Sequence, residues 1–172
     1  MNRFLGIVAA GIVALGSTAL ADDLNNVGKP PTNAADRQAI QDVIGSYSYL
    51  LDNNLMDAWL GLFTNDTVLE FRNPGHSPIV LNTVAQVSAA VKPRFAGFAK
   101  SGIVRRHLMA GIAFVEQTDS NAHIFVEVLI TNVHDGKTFS PVSSGQYEGW
   151  LVKVEGVWKI KRWIDAPDAI VQ

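Results

Sequence analysis

Four stretches decide the fold: VRRHLMAGIAFVE (Val104 to Glu116), AHIFVEVLITNV (Ala122 to Val133), VSSGQYEGWLVKV (Val142 to Val154) and VWKIKRWI (Val157 to Ile164). Each is rich in β-branched and aromatic residues, the composition that suits a pleated, half-buried surface. Thr118-Asp119-Ser120-Asn121, Asp135-Gly136 and Glu155-Gly156 separate them, and the last two are compact turn signals. Three long strands joined by short turns predict an antiparallel meander, with a fourth strand closing it.

Upstream of the meander the period changes. From Ala34 to Leu51 the apolar residues Ile40, Val43, Ile44, Tyr47, Leu50 and Leu51 recur at three- and four-residue spacings, which predicts a helix. Asn33 suits its N-cap, and Asp36 places a negative charge in the first turn, where the helix dipole favours it. Asp52-Asn53-Asn54 ends the helix. A short second helix is expected at about Met56 to Phe63, then a strand at about Thr67 to Phe71. Asn73-Pro74-Gly75 marks a turn. A third helix is expected from about Asn82 to Arg94 or a little beyond, with Pro93 bending or ending it.

Helices first and a sheet afterwards is α+β segregation rather than βαβ alternation. Long twisted strands curl, so the helices must cover the concave face of the sheet. The expectation is a cone-shaped α+β barrel, with N-terminal helices packed on a strongly curved, mixed but mostly antiparallel sheet. Where the helices cap only part of the cup, an apolar pocket remains, and such pockets are default binding sites.

Residues 1–21 read as an address. Asn2 and Arg3 open it, Phe4 to Leu15 is almost wholly apolar, and Ala19-Leu20-Ala21 offers the small-x-small pattern of a signal-peptidase site. An apolar core of about a dozen residues is too short for a ~30 Å hydrocarbon layer. The expected organisation is a signal peptide over 1–21, a flexible leader over 22–33 and one domain over 34–172. The mature protein is then expected in the periplasm or secreted, with no membrane attachment after cleavage. Cysteine is absent from the 172 residues, which excludes disulfides, thiolate metal sites and thiol nucleophiles. A net charge of −2 without a basic patch argues against nucleic acid as a partner. With 48% hydrophobic and only 17% charged residues, the chain is suited to a packed core or a greasy pocket.

No Gly-rich phosphate loop, His-Glu-x-x-His run or Gly-x-Ser-x-Gly elbow is present. Four histidines remain as candidates: His76, His107, His123 and His134. His76 and His134 adjoin turns, and His123 opens a strand. His107 alone lies inside one, and spacing leaves it open as a base or as a hydrogen-bonded core residue. Asp52 stands at a helix C-terminus, where a carboxylate is unfavourable, so it is either a solvated residue of the Asp-Asn-Asn turn or a candidate for chemistry. Tyr49 and Ser48 lie three and four residues before it. Tyr47 is five back, on the apolar stripe.

Ala39-Ile40-Gln41-Asp42, Tyr47, Leu51-Asp52 and Leu62-Phe63-Thr64-Asn65-Asp66 resemble the opening of SnoaL-like proteins in the nuclear transport factor 2-like superfamily. Gly156-Val157-Trp158-Lys159-Ile160 is similar to their closing strand, so the resemblance spans about Ala34 to Asp165. The chain is most similar to the branch of scytalone dehydratase, hexachlorocyclohexane dehydrochlorinase and the bile-acid dehydratase. In that branch an Asp ending the first helix orients a His on the strand after the third helix, and the resemblance puts Asp52 and His107 at those positions. Tyr47 falls where the bile-acid enzyme has a tyrosine that assists catalysis. The dehydrochlorinase carries an arginine near the turn before its last strand. Here Lys153-Val154-Glu155 stands instead, which removes support for halide abstraction.

What the resemblance implies is a cofactor-independent lyase, dehydratase-like, working on a small hydrophobic hydroxylated or cyclic compound. Asp52, His107 and Tyr47 would carry catalysis without a metal. An isomerase using the same residues, or a non-catalytic periplasmic binder of an apolar ligand, are the alternatives. Tyr49, Trp59, Phe71, Met109 and Phe125 are candidate substrate contacts, and Phe95, Phe98 and Trp150 are further aromatic candidates. Glu127 belongs with them if its side of the strand is the concave one. Arg105 and Arg106 alternate faces, so one of them can approach the pocket mouth, although both also suit a surface or a subunit interface. The resemblance also implies a homo-oligomer, trimer or dimer.

Overall fold

The computed structural model describes residues 27–170, with the side chain of Ile170 excepted. The expected signal peptide and residues 22–26 of the leader lie outside the described residues. The chain runs α1 (Ala34–Asp52), α2 (Met56–Leu60), β1 (Phe63–Phe71), β2 (Ile79–Leu81), α3 (Val84–Lys100), β3 (Ile103–Gln117), β4 (Asn121–His134), β5 (Thr138–Val154) and β6 (Val157–Ile170). All six strands form one sheet in the order β2-β1-β6-β5-β4-β3.

Only β1 and β6 pair in parallel; every other neighbouring pair is antiparallel. Two hairpins of the meander turn on consecutive residues with positive φ, Asp135-Gly136 (50° and 66°) and Glu155-Gly156 (50° and 82°). This pair of left-handed residues matches the twist of the flanking strands, which is why the chain reverses there so tightly. The strands bend at register shifts in β3–β4, β4–β5 and β5–β6. In β3 the shift falls at Gly111, whose φ is +56°, and such bulges sharpen local curvature.

The sheet does not close on itself: β2 and β3 are its edges. The helices finish the cone. The first, α1, lays Ile40, Ile44, Tyr47 and Leu51 into the cup, all buried. Its start is fixed twice. Asn33 caps it by accepting from the Asp36 N–H at 3.1 Å. Asp36 accepts from Lys153 Nζ at 2.6 Å and Trp158 Nε1 at 3.0 Å, which ties the helix to the β5–β6 hairpin. Hydrogen bonds from Lys153 and Trp158 hold that carboxyl below the usual range.

Several boundaries differ from the sequence expectation: β5 starts at Thr138 rather than Val142, β6 runs to Ile170 rather than Ile164, and β2 adds an unexpected short strand. The second helix stops at Leu60 rather than Phe63, because Phe63 already pairs with Ile160 of β6. For the same reason β1 starts four residues earlier than expected. The third helix continues to Lys100, past Pro93. Proline removes one helical hydrogen bond, but Val87, Val91 and Phe95 are buried on one stripe either side of it while Pro93 is exposed. Packing of that stripe outweighs the lost bond.

Candidate functional site

Between the concave face of the sheet and helices α1 and α3 lies a cavity with an inner and an outer chamber. The two share Phe71, Val91, Arg94, Arg105, Ile130 and Asp165 in their walls. The outer chamber has a volume of about 280 Å³ and the inner about 60 Å³. His107, Tyr47, Trp59 and Tyr147 line the inner chamber.

His107 stands on β3 opposite Ile130 of β4. Ile130 is one of the inward positions 124, 126, 128 and 130, all buried, so the histidine shares their side of the sheet. Asp52 reaches it from the last residue of α1. One carboxylate oxygen, Oδ1, lies 2.5 Å from His107 Nδ1, and Oδ2 accepts the His107 backbone N–H at 2.8 Å. Both side chains are almost fully buried, 5% exposed for Asp52 and 6% for His107. The unfavourable helix-end carboxylate is thereby explained: two hydrogen bonds on an edge strand offset the opposing dipole. With Nδ1 engaged, Nε2 is the nitrogen left free among the described residues. Phe95 of α3 lies face to face with the imidazole at 6.3 Å.

Tyr47 forms the aromatic floor. Its ring stacks on Trp163 at 5.0 Å and meets Trp59, Phe63 and Tyr147 edge-on. Burial, and then the nearby carboxylates Asp165 and Asp52, push its hydroxyl well above the ordinary range. The phenol therefore keeps its proton at every physiological pH and has an O–H to offer as a donor. Tyr147 is held up in the same way by burial and Asp165.

Asp165 pairs with Tyr147 across β5 and β6. Burial pushes its carboxyl up, while the charges of His107, Arg94 and Arg105 and the Tyr147 hydroxyl pull it partly back. Arg105 is buried; its Nε donates to Asn132 Oδ1 at 3.0 Å and its guanidinium lies 4.1 Å over the Phe98 ring. Among the described residues no group of three or more His, Cys, Asp and Glu is gathered as a metal site would require.

Residues 32–164 match the family of SnoaL-like domains. The chain belongs to the SnoaL-like domain family. Solved structures similar to this SnoaL-like domain include a proposed scytalone dehydratase from Novosphingobium aromaticivorans. It is 24% identical at a TM-score of 0.61, covering 76% of this chain and 82% of that one. ActVI-ORFA from Streptomyces coelicolor is 20% identical with a TM-score of 0.67, covering 78% and 98%. An NTF2-like protein with a cystatin-like fold from Novosphingobium aromaticivorans is 17% identical with a TM-score of 0.65, covering 78% and 82%. At these identities the likeness shows the shared fold. No curated protein matches the chain in sequence.

Of the residues singled out from the sequence, the SnoaL-like cup gathers Tyr47, Trp59, Phe71, Phe95 and His107 in its inner wall, with Asp52 directly behind His107. Tyr49 is not among them. It is 65% exposed, because two residues along a helix turn it away from the buried stripe of Tyr47. Phe125 and Glu127 are also corrected. Buried Ile124, Val126 and Val128 point inward, so the odd-numbered positions between them face outward. There Phe125 packs on His123 and Glu127 accepts from Gln146 Nε2 at 3.0 Å. Met109 shares the inward side through its pairing with Val128, but it packs against the core and does not line either chamber.

Three polar lining residues escaped the sequence reading, Arg94, Tyr147 and Asp165, and of the two arginines that alternate faces it is Arg105 that reaches the cavity. The signal for Arg105 was present, since it lies two residues from His107 and must share its side of the strand. Tyr147 was legible in the same way from alternating Gly145, Tyr147, Gly149 and Leu151. Asp165 lay beyond the expected end of the last strand.

Proposed function

We propose that this SnoaL-like domain is an exported, cofactor-independent lyase of the dehydratase type, acting on a small hydroxylated cyclic compound. The observation that carries the reading is the buried contact between Asp52 Oδ1 and His107 Nδ1, 2.5 Å long, at the wall of the inner chamber. A carboxylate on Nδ1 sets the tautomer and leaves Nε2 as a base. It also stabilises the imidazolium formed when that base takes a proton.

The step follows from that arrangement. His107 Nε2 removes a proton from carbon beside a carbonyl, and the C–H electron pair moves toward that carbonyl as an enolate. Tyr47, locked in its protonated form, donates to the enolate oxygen. Collapse of the enolate forms the C=C bond and breaks the adjacent C–O bond. The imidazolium returns its proton to the departing oxygen, so water leaves and His107 is neutral again.

Export to the periplasm or outside the cell is supported by the pattern of residues 1–21. No helix among the described residues is long and apolar enough to cross a membrane. Assembly into a homo-oligomer is supported by apolar side chains exposed near the β3 edge, Val104, Leu108 and Leu129. A small hydrophobic molecule is the partner that the aromatic walls suit.

Incubation with a panel of cyclic β-hydroxy ketones in D2O tests the reading, followed by NMR and by the ultraviolet band of a conjugated enone. Elimination with α-deuteration by the native protein, lost in His107→Asn, is the expected result. Exchange with a shifted double bond or an inverted α-carbon, and no loss of water, would make the protein an isomerase. Ligand binding with neither would make it a binding module and overturn the proposal.

A further inference from the structure

The walls of the cavity hold more cationic chemistry than a purely apolar ligand needs. Arg94 projects from α3 and Arg105 from β3, and both line both chambers. Neither makes an ion pair with a carboxylate among the described residues, although five lysines and arginines elsewhere do. Only Arg105 Nε is engaged by a side-chain acceptor, Asn132. Its two Nη groups have no hydrogen-bond partner among the described residues. A guanidinium at 9% exposure with no carboxylate in direct contact is costly to keep; desolvation lowers its pKa, and the more distant charges of Asp52 and Asp165 offset this only in part.

Asp165 shares the same wall without forming an ion pair with either arginine, and burial is the largest influence on its carboxyl, raising it against the charges of His107, Arg94 and Arg105. The pair Asp52–His107 is satisfied internally. What remains is a mouth with two guanidiniums in no direct ion pair, beside the apolar surfaces of Val91, Ile130 and Leu81.

We infer that the ligand of this cavity carries a carboxylate, seated between Arg94 and Arg105 in the outer chamber, with its ring directed inward toward His107. This deepens the proposed dehydratase reading and rests on it for the orientation of the ring. A single planar carboxylate matches the fork of a guanidinium and presents two oxygens to two arginines. The outer chamber, about 280 Å³, has room for a one-ring acid. The substrate class is therefore a hydroxylated cyclic carboxylic acid rather than a neutral hydrocarbon-like compound.

Titration of the mature protein with benzoate, benzamide and inorganic phosphate, followed by tryptophan fluorescence and NMR, tests this. Benzoate is expected to bind at least ~10-fold more tightly than benzamide at neutral pH, the margin of a charge-assisted bidentate contact. Arg94→Gln, at the exposed mouth, should weaken benzoate ~10-fold and leave benzamide unchanged. Arg105→Lys keeps the buried charge and guards against misfolding of Arg105→Gln; it should weaken benzoate by losing the fork. Equal affinity for benzoate and benzamide, or indifference to both arginine variants, overturns the inference, as does phosphate binding more tightly than benzoate. His107→Asn separates the two proposals. It should abolish elimination yet keep benzoate affinity, so an anion site without catalysis, or catalysis without an anion site, is read directly.

Discussion

Asp52 holds His107 by two different bonds, Oδ1 to the ring Nδ1 at 2.5 Å and Oδ2 to the backbone N–H at 2.8 Å. The carboxylate thus fixes both the ring and the strand that carries it. It joins the end of α1 to the edge strand β3, 55 residues away in sequence. Replacing it separates two effects. Asp52→Asn retains an acceptor for the backbone N–H but loses the negative charge opposite the imidazolium. On the proposed reaction, kcat should fall about 10²–10⁴-fold with little loss of folding. Asp52→Ala leaves a buried imidazole and N–H without a partner, and should cost about 3–5 kcal/mol in urea unfolding. Equal stability of the two variants would show that the contact carries no structural weight.

Tyr47 offers a cleaner test of chemistry against packing. Its ring makes the aromatic contacts to Trp59, Phe63, Tyr147 and Trp163, and Tyr47→Phe keeps all of them. Removing a single donor to a developing oxyanion typically costs about 10²–10³-fold in kcat. Stability should stay within about 0.5 kcal/mol of the native protein. Steady-state kinetics alongside a thermal melt checks both numbers.

Gly149 is required by close approach rather than by backbone conformation. A Cβ built there would lie 2.5 Å from Trp163 Cζ3 and 2.8 Å from its Cε3. The indole cannot retreat, because Tyr47 stacks on it at 5.0 Å. Gly149→Ala should destabilise the domain by about 1–3 kcal/mol through overpacking. Near-ultraviolet circular dichroism should change with it, since displaced Trp163 moves the floor of the cavity.

Asp165 should make the domain less stable as pH rises. Its carboxyl faces His107 and Arg105 from β3, Arg94 from α3 and Tyr147 from β5, and burial is the largest influence on it, raising its pKa. A carboxyl raised in the folded state binds its proton more tightly there than in the unfolded chain. The penalty is absent below the unfolded value of 3.8 and grows as pH climbs through the folded one. Asp165→Asn should therefore raise Tm at neutral pH and flatten the decline of stability above about pH 4. A Tm for Asp165→Asn below that of the native protein at neutral pH, or an undiminished slope, would sink this account.

Asp36 and Glu70 run the other way. Hydrogen bonds from Lys153 to Asp36 and from Arg72 to Glu70 lead in lowering their carboxyls. Their contribution is present above the unfolded carboxyl range and is lost as pH falls through the lowered values. Acid titration of Lys153→Met should lose the Asp36 share of that dependence.

Much of this protein was legible along the chain, because strands and turns are local statements. The alternation in residues 122–133 and the Asp135-Gly136 and Glu155-Gly156 pairs are enough to produce a meander. Three- and four-residue spacing is enough to place Tyr47 on the buried side of α1 and turn Tyr49 away, although Tyr49 was still counted as a substrate contact. The outward direction of Glu127 needed the tertiary structure. Periodicity says which residues share a side of a strand; only packing says which side meets the helices.

The amino-acid sequence by itself determined the element types, their order and the residues that alternate together, since these follow from neighbouring side chains and backbone sterics. Tertiary structure decided that α3 continues past Pro93 to Lys100 and that β1 runs parallel to β6, and it supplied the two bonds by which Asp52 meets His107. It also decided that Arg94, Arg105, Tyr147 and Asp165 converge on one cavity. Each of those outcomes joins residues far apart in the chain, and its energy comes from burial and charge pairing that exist only once the sheet has curled around the helices.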